Sequence, residues 1–75
     1  MQVQRTYDRS WEEIESMLTA AQNERRQWQF RFERARKIDD RQTMKDAARN
    51  AKALEGVVKT LRWTLGEPGI DNPLE

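Results

Sequence analysis

SWEEIESMLTAAQNERRQWQFRFERAR, residues 10–36, places Trp11, Ile14, Leu18, Ala21, Trp28, Phe32 and Ala35 at alternating steps of three and four. Arg25 fills the one missing step. An apolar stripe of this period, sustained over more than three heptads, predicts a long helix packed lengthwise against another. Ser10 and Glu13 have the spacing of a capping box, and Glu12, Glu13 and Glu15 favour the positive end of the helix dipole. Nothing obliges this helix to stop before Ile38, so it is expected over residues 10–38, about 43 Å of rise.

A second stripe, Met44, Ala47, Ala51, Leu54, Val58, Leu61 and Leu65, repeats the same steps. Nine residues separate Ala35 from Met44. At roughly 100° per residue, a single uninterrupted rod would put the two stripes on opposite sides. A fold-back brings both onto one seam. The turn is therefore expected at 39–43, where Asp39, Asp40 and Thr43 can each cap a new helix and Thr43 with Asp46 has the spacing of a weaker capping box, and the second helix at 43–65. Gly66 suits a left-handed helix end, and Pro68 prevents continuation.

Residues 1–9 read as a short arm, with Tyr7 in register with the first stripe. Residues 66–75 read as a tail whose Ile70 and Leu74 are available as a lid over Trp11 and Ile14 at the open end. The fold class is thus all-α, an antiparallel two-helix hairpin with a coiled-coil-like seam in one domain. Ile38, Ala48 and Val57 flank the seams and would not all be covered in an isolated hairpin. Pairing of two hairpins as a homodimeric four-helix bundle is the expected remedy.

Charge is divided along the chain. Residues 1–24 hold two basic and five acidic side chains, residues 25–62 hold twelve and five, and residues 66–75 add three acidic ones. The overall net charge of +1 conceals a basic body between acidic ends. Antiparallel pairing would set basic turns beside acidic ends.

Histidine and cysteine are both absent. The commonest catalytic base, the most reactive nucleophile and the usual zinc ligands are therefore missing, and no glycine-rich phosphate loop is present. Glu12 and Glu15, or Asp39 and Asp40, read as solvated or capping carboxylates. No catalytic role, cofactor, metal or small-molecule substrate is expected. No apolar run has the length of a membrane span, and residues 1–10 show no apolar signal segment, so a cytoplasmic protein without membrane association is expected.

The candidate binding residues lie off the seam. The outward line of the first helix runs Arg26, Phe30, Arg34, Lys37 and Arg41, with Arg31 and Arg36 nearby; that of the second runs Lys45, Arg49, Lys52, Gly56, Lys59 and Trp63. Each is a basic ladder interrupted by one large aromatic. Such an aromatic, opposite the core, calls for a covering partner. Arginines around a ring are typical of a protein-binding hot spot, and the expected function is a non-enzymatic adaptor or inhibitor that binds another protein. The alternative is a regulatory protein that binds nucleic acid, RNA among the candidates, whose ladders follow phosphates while Phe30 or Trp63 stacks on a base. Glu33 with Lys37, and Glu55 with Lys59, have the spacing of ordinary helix pairs. Arg25 either snorkels out of the seam or pairs with Glu55 across the hairpin.

Overall fold

Helix α1 (Trp11–Lys37) and helix α2 (Arg41–Thr64) form an antiparallel hairpin in the computed structural model, which describes residues 8–75. Tyr7 and most of the expected arm lie outside the described residues. The start of α1 is the expected capping box. Ser10 Oγ accepts the Glu13 amide at 3.1 Å, and the Glu13 carboxylate accepts the Ser10 amide in return. Arg9 donates to the same carboxylate at 2.9 Å, and this bond leads in holding Glu13 below the usual carboxylate range.

The turn is tighter than the sequence suggested. It occupies 38–40 rather than 39–43, because Asp39 adopts the left-handed conformation (φ 56°) that ends a helix abruptly. The Asp40 amide then donates to the Ala35 carbonyl at 2.9 Å and the Asp39 amide to that of Arg36 at 3.3 Å. Together these bonds satisfy two otherwise orphaned carbonyls in a Schellman motif. Of the three candidate caps, Asp40 is the one that caps α2. Its carboxylate accepts the Thr43 hydroxyl at 2.6 Å and the Thr43 amide at 3.2 Å. Thr43 thus lies inside the helix, and Asp46 takes a bond from Gln42 instead.

Helix α2 ends with the same motif. Gly66 (φ 72°) is left-handed, and the amides of Gly66 and Glu67 donate to the carbonyls of Trp63 and Arg62. A two-point ion pair between Arg62 and Glu67, with Nε to Oε2 at 2.9 Å, fastens the first tail residues to the last turn.

Among the described residues the fully buried apolar side chains are Ala21, Ala35, Ala47 and Val58, with Ala47 completely covered. Ile14, Leu18, Trp28 and Phe32 of α1, and Met44, Leu54, Leu61 and Leu65 of α2, are only half-buried. Phe32 of α1 lies beside the small Ala48 and Ala51 of α2. One hairpin nevertheless leaves all eight of these larger side chains partly wet.

Trp11 departs from the expected stripe. Counting outward from Asp39, Leu65 comes level with Glu13, next to Ile14, whereas the longer expected turn would have left it near Met17. Trp11 still lies past the end of α2 and is 61% exposed. The tail does not form a lid over it. Ile70 folds back beside Arg25, Val58 and Arg62, and Leu74 is 93% exposed. The Arg62–Glu67 clamp and the left-handed Gly69 (φ 82°) send the tail along the side of the hairpin instead of across its end.

Candidate functional site

Helical periodicity puts Arg26, Phe30 and Arg34 on one outward line of α1, opposite the buried Ala21 and Ala35. All three are exposed, Phe30 to 65%. Around the ring lies an open cleft of about 450 Å³, lined by Arg26, Gln27, Phe30, Arg31 and Arg34. Three arginine side chains thus line the cleft around one solvent-facing aromatic. Arg31 is positioned by a second ring, its guanidinium carbon standing 4.4 Å from the Trp28 centroid. This cation–π contact limits the freedom of the side chain without neutralising it.

The helix ion pairs form differently from expectation. Glu33 pairs with Arg36 at 2.7 Å rather than with Lys37, and Glu55 lies 3.7 Å from Lys52 rather than pairing with Lys59. The forked arginine reaches Glu33 through two nitrogens, which a lysine cannot do. Among the described residues Arg26, Arg31, Arg34, Lys37, Lys45 and Arg49 make no ion pair within 4.0 Å. Arg41 has a single long contact to Asp39 at 3.9 Å, both side chains largely in water.

The predicted site residues fall into separate groups. Arg26, Phe30 and Arg34 cluster on α1, with Lys37 one turn further on. Lys45, Arg49 and Lys52 lie on the opposite side of the hairpin, along the outward line of α2. Arg41 and Lys45 lie at the turn. Lys59 is half-buried and joins Arg25, Arg62, Gly69 and Asp71 around a tail-side cleft. Trp63, 51% exposed, lies near the open end. By residue count it is about 20 Å further from the turn than Phe30, and it faces the other way. The two aromatics therefore cannot serve one compact ligand.

Sequence reading underweighted Arg31 and Gln27. The three-residue step from Trp28 to Arg31 carried the relevant signal, since it makes them neighbours on the helix surface. Arg25 makes no ion pair across the hairpin with Glu55. It is half-buried near Glu55, but Glu55 has its ion pair with Lys52. Among the described residues no group of three or more acidic side chains is placed to hold a metal, and no helix is long and apolar enough to cross a membrane. Compared with known proteins, the chain matches no family, no characterised sequence and no solved structure.

Proposed function

We propose that this chain is a small, non-catalytic helical interaction protein, an adaptor or inhibitor that works as a pair of hairpins and binds another protein through its outward faces. The observation that carries this reading is Phe30, a solvent-facing ring within a cleft bordered by Arg26, Arg31 and Arg34. An aromatic anchor ringed by arginines is the composition that dominates binding energy in protein interfaces. Its complement is an acidic surface carrying one apolar side chain. The carboxylates meet the guanidinium forks bidentately while the apolar group covers the ring. The two basic ladders point in opposite directions, which suits a bridge between two partners better than a track for one duplex.

An array of acidic peptides, each holding a single leucine or aromatic residue, tests the reading when probed with the full chain. Binding should weaken with salt and fall about tenfold or more in Phe30→Ala. The uncommitted cations Lys45 and Arg49 favour nucleic acid as the second reading. Tighter binding to single-stranded RNA than to any acidic peptide, lost on Arg34→Glu with Arg49→Glu, would put that reading first.

A further inference from the structure

One face of the hairpin is unfilled at its turn end. Two adjoining open clefts, about 370 and 380 Å³, share Phe32 and Ala48. Met44 and Ala51 extend their apolar lining, and Arg41 and Lys45 stand at the rim. The exposed Trp11 stands at the other end of the same face. Eighteen residues, about five helical turns, separate Trp11 from Gln29, so they share one line of α1 about 27 Å apart. Gln29 lines the second cleft. A single face thus carries a projecting indole at one end and an apolar hollow at the other.

A twofold-related copy satisfies both ends at once, because an isologous interface sets residue i against j and j against i. Size agrees as well. A face about 40 Å long and two helices wide, about 20 Å, approaches the roughly 800 Å² per partner of a standard stable interface.

We propose that two copies of this chain pair antiparallel through this face, each seating its Trp11 in the Phe32–Met44–Ala48 hollow of the other and closing a four-helix bundle. The proposal rests on the paired-hairpin reading above and assigns its contact face. Half-buried Phe32, Met44 and Leu18 gain the cover that one hairpin cannot provide. The tail segment 69–71, beside Arg25 on this face, lies close to the twofold axis and becomes part of the interface. Phe30 stays outward and free for a different partner.

Sedimentation equilibrium of the full chain across the micromolar range tests the proposal. The unaltered protein should be a dimer. Trp11→Ala and, separately, Ala48→Glu should each weaken association by about tenfold or more at unchanged helix content, since both positions are exposed in the single hairpin. An unaltered chain that stays monomeric overturns the pairing reading together with this face. A dimer indifferent to both Trp11→Ala and Ala48→Glu overturns the face assignment alone.

Discussion

Asp39 and Gly66 occupy the same position of the same helix-ending motif, one closing α1 at φ 56° and the other closing α2 at φ 72°. Only the glycine is free of steric cost there. Asp39→Gly should therefore stabilise the hairpin by about 0.5–1 kcal/mol, raising Tm by a few degrees. Gly66→Ala should destabilise it by about 1 kcal/mol. A Cβ at Gly66 would meet nothing within 4 Å, so the cost lies in the backbone alone. Thermal melts followed by circular dichroism give both signs.

Acid should loosen the hairpin at both ends of α2 and at the start of α1. The Arg62 guanidinium holds Glu67 below the usual carboxylate range, the Thr43 hydroxyl and amide do the same for Asp40, and Arg9 with Ser10 for Glu13. Each carboxyl has a lower pKa folded than unfolded, so the unfolded chain takes up protons first as pH falls. The stability these groups contribute is complete above their unfolded values, near pH 4–4.5, and is lost as pH drops through the lower folded values. Urea midpoints should be level from about pH 7 to 5 and decline below about pH 4. Glu67→Gln should remove part of that decline; an unchanged profile would remove Glu67 from the explanation.

Arg25 interrupts an otherwise apolar line without making an ion pair. Arg25→Leu should stabilise the chain by about 1 kcal/mol through added apolar burial. Helix content should stay the same in circular dichroism, because Glu55 has its ion pair with Lys52 and not with Arg25.

Ala47 is completely covered where the helices meet near the turn. Ala47→Leu should cost about 1–3 kcal/mol, since the added side chain must push the helices apart. The same change at Ala48, on the open hollow, should cost the single hairpin little. The contrast in urea midpoint between the two variants separates seam from groove.

Much of this architecture was legible in the chain. The stripes from Ile14 to Ala35 and from Met44 to Leu65 are periodic over many turns, and their phase mismatch required a fold-back. Ser10 with Glu13, and Gly66 before Pro68, marked helix ends through local chemistry. The turn was harder to read, because Asp39 takes a left-handed conformation that sequence usually signals with glycine. Trp11 fitted the stripe in phase but not in length; a turn of three residues and a helix ending at Thr64 decide what covers it. Phe30 and Trp63 were visible as outward aromatics, yet only three dimensions show that they face apart. Arg31 both lines the cleft and rests its guanidinium on the Trp28 ring, a contact that a list of ladder residues does not suggest.

The three-residue turn also bears on how quickly the hairpin assembles. Closing so short a loop costs little chain entropy, and each later contact adds residues adjacent to those already joined. Ala35 and Ala47 should meet first, with pairing advancing one turn at a time towards Ile14 and Leu65. Folding dominated by such local steps falls in the microsecond-to-millisecond range. Trp11, beyond the last rung, should report association of chains rather than formation of the hairpin, so its emission should follow a slower, concentration-dependent phase.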